Sequence, residues 1–451
     1  MSSSESEHEQ DENQEEEFTL EGLEAWQSLG VCDEVAQTAV DLKWSKPTPI
    51  QQKSIPIAIE GKDVIGLAET GSGKTAAFAI PVLQSLLKTP GGGRLSCLVL
   101  TPTRELAFQI REQFQALGSA IGLSCACIVG GIEMMSQQLA LAKKPHVIVA
   151  TPGRLVDHLE KTRGFGLKAL KFLIMDEADR ILNLDFEAEV DKILRAIPRE
   201  RQTMLFSATM TAKVKKLQRA ALKNPVKVSI NSKYKTVDKN IQKYLFIPEA
   251  HKECYLVSLL NELQGSSFMI FTSTCAKTSL IARLVKRLGY DSVPLHGQMS
   301  QQKRLGALAR FKAKSRSILV CTDVASRGLD VPHVDVVINY DVPTNTKDYI
   351  HRVGRTARAG RAGKSVTFVS QYDVELYQKI EAHIGKKLDQ WPHEKDEVMA
   401  LKERVDEAKR IAVQEIKEED AKRKSKKKRQ FDEEGSIKDR IGKVKHKKRR
   451  K

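Results

Sequence analysis

Short apolar runs recur along this chain, and each gives way to a polar cluster. Asp63-Val-Ile-Gly-Leu67 leads into Ala68-Glu-Thr-Gly-Ser-Gly-Lys-Thr75, Cys97-Leu-Val-Leu100 into Thr101-Pro-Thr-Arg-Glu-Leu-Ala107, and Val147-Ile-Val-Ala150 into Thr151-Pro-Gly-Arg154. Phe172-Leu-Ile-Met175 ends in Asp176-Glu-Ala-Asp179, and Met204-Leu-Phe206 in Ser207-Ala-Thr209. Runs this short suit buried strands, although length alone also allows a helix segment. Helix-length amphipathic stretches lie between them, such as Glu105–Gly118 and Phe186–Ile197. Strand, motif and helix in alternation predict a parallel sheet with crossover helices. The pattern pauses after Asn224-Pro225 in the polar stretch Ser229–Gln242, then resumes with Met269-Ile-Phe271, Ile318-Leu-Val320, Val334–Asn339 and Val366–Val369. The expectation is α/β: two similar domains at 18–225 and 242–390, with a linker at 226–241.

The flanks read differently. From Phe18 to Val40 apolar residues recur at helical spacing, and Pro47 and Pro49 then predict an extended segment over Trp44–Gln51. Beyond Trp391-Pro392, residues 391–420 alternate acids and bases around Val398, Leu401, Val405 and Ala408, which predicts a solvated helix with one thin apolar stripe. Residues 1–17 hold eight acids and no Lys or Arg, whereas 421–451 hold sixteen Lys/Arg against four acids. Neither end has the apolar content for a core, so both are expected to be disordered tails.

Charge changes the picture further. Of the net +17, the body at 18–420 keeps +13 without either tail. A basic body favours a polyanionic partner, nucleic acid above all. Seven scattered cysteines without a Cys-x-x-Cys pair suit reduced thiols, which fits the cytosol or nucleus. No run reaches the roughly 20 apolar residues of a membrane span, and the acidic start is unlike a secretory signal.

The candidate chemistry sits in the polar clusters. Gly71-Ser72-Gly73-Lys74-Thr75 ends as a phosphate-binding loop does: glycines turn backbone N–H groups to phosphate, Lys74 reaches the β/γ-phosphates, and the Thr75 hydroxyl takes Mg²⁺. Ala68 stands where the general pattern has its first glycine. Acids after Phe172–Met175 sit where open α/β sheets bind ligands. They are either an acidic helix start or the second half of a nucleotide site, with Asp176 on the metal and Glu177 on the attacking water. Asp179 ties its loop to Ser207 or Thr209.

Taken in order, Pro47-Thr-Pro-Ile-Gln51, Ala68–Thr75, Pro102–Ala107, Gly130-Gly131, Thr151–Arg154, Asp176–Asp179, Ser207–Thr209, Ser326-Arg-Gly-Leu-Asp330 and His351–Arg358 resemble the motifs of the DEAD-box RNA helicases. The resemblance spans roughly residues 24–390. It implies two RecA-like domains, ATP and Mg²⁺ as cofactors, and RNA as substrate. By resemblance, Gln51 reads the adenine edge within a segment at 24–52, with Trp26 in the place of an upstream aromatic. Ala68, Glu69, Thr70, Gly71, Ser72, Gly73, Lys74 and Thr75 hold the phosphates, and Asp330 lies near the ribose. Arg355 and Arg358 serve the γ-phosphate. Asp179, Ser207, Thr209, His351 and Arg352 couple the domains. RNA contacts fall to Thr103, Arg104, Gly131, Thr151 and Arg154 in the first domain, and to Thr272, Arg304, Thr322 and Arg327 in the second. Hydroxyls, glycine backbone and arginines suit phosphate and sugar, so little base specificity is expected.

Met175–Glu187, Gln202–Val226 and Val334–Arg361 look further like the nucleolar members that process small-subunit ribosomal RNA. That implies pre-ribosomal RNA and pre-ribosomal proteins as partners, a monomer, and a nuclear, nucleolar location. An ATP-gated RNA clamp without unwinding is the alternative activity. The basic tail is then an address, an RNA tether, or both, against plain solvated charge. As a tether, its removal (residues 421–451) weakens RNA binding and flattens the log–log salt slope by about 0.7 per lost single-strand phosphate contact. A salt titration that leaves the slope unchanged assigns the tail to addressing alone.

Overall fold

The computed structural model describes residues 19–68, 71–88, 95–183, 186–230, 240–323, 334–357, 362–419 and 421. It divides into two compact units, which meet in sequence between Lys233 and Tyr234.

In the first unit the apolar runs are strands: β1 Val64–Leu67, β2 Cys97–Leu100, β3 Cys125–Ile128, β4 Val147–Ala150, β5 Phe172–Met175, β6 Gln202–Ser207 and β7 Val226–Ser229. They form one parallel sheet in the order β3-β4-β2-β5-β6-β1-β7. Side chains alternate across a strand, and this sheet shows it. Cys97, Val99, Val147, Val149, Ile174 and Phe206 enter one apolar layer with the helices Lys74–Leu87 and Arg104–Leu117. Leu98, Leu100, Ile148, Leu173, Met175 and Leu205 enter the other, with Pro152–Lys161, Glu187–Ala196 and Ala212–Ala221. Burial on both faces is why the runs are continuously apolar.

The helices at 19–27 and Asp33–Asp41 pack on the first of these layers. Trp26 is fully buried there, its indole N–H donating to the Trp44 carbonyl at 2.7 Å. No ring face is left exposed, so Trp26 does not stack on a ligand as the resemblance implied. The segment after Trp44 also differs from the extended reading, because a helix starts at Pro49 and runs to Ile59. Proline is favoured in the first helical turn, where its missing N–H costs nothing.

Strand β7 lies inside the expected linker, pairing with β1. As an edge strand it buries only Val228 fully, so its apolar signal was weak. The linker's other end moves too, since β8 begins at Asn240.

The second unit repeats the plan with β8 Asn240–Phe246, β9 Phe268–Phe271, β10 Ser292–Leu295, β11 Ile318–Cys321, β12 Val336–Asn339, β13 Gly363–Val369 and β14 Asp389–Gln390. All pairs are parallel, in the order β10-β11-β9-β12-β13-β8-β14. The helices Lys395–Ala400 and 402–419 lay Val398, Val405, Ala408 and Ala412 on its core. Both sheets thus direct the polar clusters to the carboxyl ends of their strands.

Truncating a fully buried aromatic leaves a cavity, so Trp26→Ala is expected to lower the stability of the first unit by about 3–5 kcal/mol. Chemical denaturation followed by fluorescence checks this, and a loss below about 1 kcal/mol contradicts a core role.

Candidate nucleotide and RNA site

The phosphate loop starts where β1 stops, with the Ala68 N–H bonded to the Ser207 carbonyl on β6 at 3.1 Å. Gly71 and Gly73 take φ of 84° and 91°, a left-handed backbone that glycine adopts without steric cost. Gly73 then caps the helix Lys74–Leu87, whose N-terminus carries no side-chain cap among the described residues and suits an anion. Lys74 is buried and donates to the Ala68 carbonyl at 3.1 Å, bridging the loop; Thr75 beside it is half-exposed.

Gln51 is drawn into the same loop. Its amide N–H donates to the Gly73 carbonyl at 3.0 Å, and its carbonyl accepts from the Thr48 N–H at 2.7 Å. The side chain therefore both caps the helix at Pro49 and braces the phosphate loop. A Cβ at Gly73 would stand 2.5 Å from the Gln51 amide nitrogen and 2.7 Å from the Thr48 hydroxyl, so glycine is required here.

At the end of β5 the Asp176 carboxylate is 3% exposed and accepts from the Glu177 N–H at 2.9 Å. Burial above all, with the Glu177 and Asp179 charges, raises Asp176 to about 6 against the downward pull of Lys74 and of the Glu177 N–H. The charges of the loop and of β5 thus already act on one another. Glu177 has φ of 50° and an ion pair to Arg180 at 3.1 Å, both side chains buried. Asp179 accepts from the Thr209 hydroxyl at 2.7 Å, and the Ser207 hydroxyl donates to the Thr209 carbonyl at 2.9 Å. These three tie the acidic loop to the end of β6.

Arg104, Gly131 and Arg154 gather at the carboxyl ends of the adjacent strands β2, β3 and β4. An ideal Cβ on Gly131, where φ is 77°, would fall 2.2 Å from an Arg104 nitrogen, so only glycine lets the guanidinium lie on this turn. Arg154 donates to the Ile132 carbonyl at 2.9 Å. Thr103 and Thr151 precede the helices Arg104–Leu117 and Pro152–Lys161 as their N-caps.

In the second unit Thr322 and Arg304 are nearly buried, on the loop after β11 and on the helix Gln301–Lys312. Thr272 departs from its expected role. It is fully buried, and its hydroxyl donates at 2.7 Å to that of Thr278, whose own proton goes to the Thr274 carbonyl, so no proton is left for phosphate. Arg352 departs as well. Its guanidinium grips Asp323 through two 2.6 Å hydrogen bonds, donates to the Asp341 carbonyl at 2.7 Å, and lies over the Phe271 ring. Every partner belongs to its own unit, so Arg352 organises the ends of β9, β11 and β12. His351 lies 4.0 Å from Asp348, and Arg355 is buried. Glu69, Thr70, Arg327, Asp330 and Arg358 lie outside the described residues.

Three groups escaped the sequence reading. Arg180 had a usable signal, one helical turn from Glu177. Asp341 had another, an acid just past the apolar run Val336–Asn339. Burial pushes Asp341 up, yet hydrogen bonds from Lys277 and Ser273 hold it below the usual carboxylate range. Asp323 had none, since its partner is 29 positions away.

A phosphate loop answered by strand-end carboxylates in one RecA-like unit, followed by a second such unit, defines a tandem nucleotide-driven helicase. The family model for DEAD/DEAH box helicases matches residues 48–217, and that for the helicase conserved C-terminal domain matches 251–360. The chain is 66% identical to the probable ATP-dependent RNA helicase DDX47 of Homo sapiens over 404 residues, covering 90% of this chain and 88% of the relative. It is 60% identical to the ATP-dependent rRNA helicase RRP3 of Yarrowia lipolytica over 416 residues, covering 92% and 86%. Among solved structures, Mss116p bound to ssRNA and AMP-PNP aligns with a TM-score of 0.76 at 30% identity, over 86% of this chain and 82% of that one. Saccharomyces cerevisiae Dbp5 bound to RNA and ADP BeF3 aligns at 0.75 with 27% identity, over 86% and 99%. The chain belongs to the DEAD-box family of ATP-dependent RNA helicases.

Strain of this kind costs about 1–3 kcal/mol. Gly73→Ala is therefore expected to weaken ATP binding by about tenfold or more, read by titration with a fluorescent ATP analogue. Unchanged affinity would show that Gln51 and Thr48 move aside freely.

Proposed function

We propose that this chain couples ATP hydrolysis to local opening of RNA duplexes, or to stripping protein from RNA, during ribosomal RNA processing for the small ribosomal subunit in the nucleolus. The observation that carries the catalytic reading is the convergence of Lys74, Asp176 and Glu177 in one buried site of the first unit. The names of the DDX47 and RRP3 relatives support an RNA helicase, and the second of them supports ribosomal RNA as its substrate.

The roles follow from the residues. Gly71, Ser72 and Gly73 present backbone N–H groups to the phosphates, with Glu69 and Thr70 in the same loop. Lys74 swings from the Ala68 carbonyl to the β/γ-phosphates. Gln51 exchanges part of its bracing for the adenine edge, since its amide can both donate and accept. Half-buried Trp44, four residues before Thr48, has the exposed ring area that Trp26 lacks. The donor set at Thr75 and Asp176 fits Mg²⁺, a hard cation that prefers oxygen and is held through few protein ligands. Bound there, Mg²⁺ would neutralise phosphate charge. Glu177 then orients and deprotonates the attacking water. Arg355 and Arg358, with Asp330 near the ribose, bring guanidinium charge from the second unit to the terminal phosphate.

RNA lies along Thr103, Arg104, Gly131, Thr151 and Arg154, and along Arg304, Thr322 and Arg327. These are phosphate and sugar contacts, so selection of the ribosomal precursor falls to pre-ribosomal proteins that hold the monomeric chain in place. ATP and RNA each favour the same closed state, so each raises affinity for the other.

Replacing Glu177 separates binding from turnover. Glu177→Gln is expected to keep ATP and RNA affinity while RNA-stimulated hydrolysis drops by about 10²–10⁴. Equal turnover in the two proteins removes Glu177 from the role of base. Hydrolysis by the unaltered chain without strand release in a short-duplex assay leaves the clamp as the activity.

A further inference from the structure

Strand β3 ends the first sheet, with β4 as its one neighbour among the described residues. The Ser124 carbonyl accepts from the His146 N–H at 2.9 Å, and the Ile128 carbonyl accepts from Thr151 at 3.0 Å, both toward β4. Alternation along the strand therefore turns the N–H and C=O groups of Cys125 and Cys127 outward. One helix covers each face beside this free edge. Arg104–Leu117 packs in the layer that takes Cys125 and Cys127, and Leu141 of Met134–Ala142 in the layer that takes Ala126 and Ile128.

Between the two helices runs a groove of about 370 Å³ with the strand edge in its lining. Phe108, Leu139 and Ala140 give it apolar walls, and Leu139 and Met135, one turn apart, are 62% and 59% exposed. Its charged lining residues are Arg111 and Lys143, with no carboxylate among the rest. The Arg111 guanidinium lies 5.2 Å over the Phe108 ring, and its Nε is buried without a hydrogen-bond partner. The guanidinium lines the groove, and a carboxylate there would make charge-assisted hydrogen bonds with it.

We propose that this groove binds an extended segment of a partner protein, which adds as a strand to β3 and sets an acidic side chain on Arg111. An open strand edge is a template for pairing, and pockets beside it select alternate side chains. Here the outward Cys125 and Cys127 backbone supplies the ladder, Phe108 and Leu139 take an apolar side chain, and Lys143 favours a second acid. RNA would find the two cations but would leave the strand edge and apolar walls unused. Ser124 and Pro145 place one end of the groove at the amino ends of β3 and β4, while Ile132, whose carbonyl accepts from Arg154, lies at the other. The proposal does not depend on the ribosomal assignment.

The test places the photocrosslinker p-benzoyl-phenylalanine at position 139 of the full chain. It is irradiated in extract from cells that make the protein, and the crosslinked material is sequenced. The expected crosslinks fall on protein segments carrying Asp or Glu. A synthetic copy of such a segment is expected to bind the purified chain about tenfold or more weakly after Arg111→Glu, after Leu139→Asp, or after its own acid becomes an amide. RNA-stimulated ATPase should stay unchanged in both variants, which reports that each is folded. Crosslinks to RNA, crosslinks to acid-free segments, or a yield no higher than at the equally exposed position 20 would overturn the proposal.

Discussion

Putting Asp176 almost out of water is the constraint on which the first unit turns. A buried carboxylate resists ionisation, and the Lys74 charge close by offsets part of that cost for Asp176. Lys74 is held there by the Ala68 carbonyl, which hangs from β6 through the Ala68 N–H. Gln51 fixes the other side of the loop through the Gly73 carbonyl. Loop, acid and bracing glutamine therefore form one unit, and none of them works alone. The remaining strands serve it by burying both faces of the sheet, so the polar groups can leave only at the strand ends.

The second unit solves a related problem with the signs reversed. One of its buried charges is the Arg352 guanidinium, and three strand ends answer it through Asp323, the Asp341 carbonyl and the Phe271 ring. Asp341 is fixed in turn by Ser273 and Lys277. A planar fork with matched acceptors on several sides is rigid, and removing one partner would leave an uncompensated charge inside the protein. The segment 351–357 is thus held in part by its own unit.

What could be read in the chain follows the same physics. Strands such as Cys97–Leu100 and Phe172–Met175 were legible because burial on both faces makes an unbroken apolar run. Val226–Ser229 was not, because an edge strand with one buried valine looks like a polar loop. Pro49 read as a helix breaker and proved a helix starter, since its effect depends on which turn it occupies. The glycine-rich loop and strand-end acids were legible from composition at fixed offsets. Trp26 and Thr272 took their expected roles from their place in a motif, and burial overrules both. The grip of Arg352 on Asp323 had no local trace, because pairing across 29 positions is decided by strand order alone.

The helix at 402–419 carries one last consequence. Its apolar stripe is seated on the second core, and Lys409 and Glu419 bond to Glu253 and Arg283 on that unit at 2.6 Å. It spans about 27 Å at 1.5 Å per residue. The lysine-rich residues that follow are thus rooted at one fixed place on the protein rather than at the end of a slack connector. What such a segment can touch, and at what effective local concentration, depends on the distance from its root to its target. The brace therefore acts as a surveyor's peg: it fixes where on the second unit the last thirty residues begin.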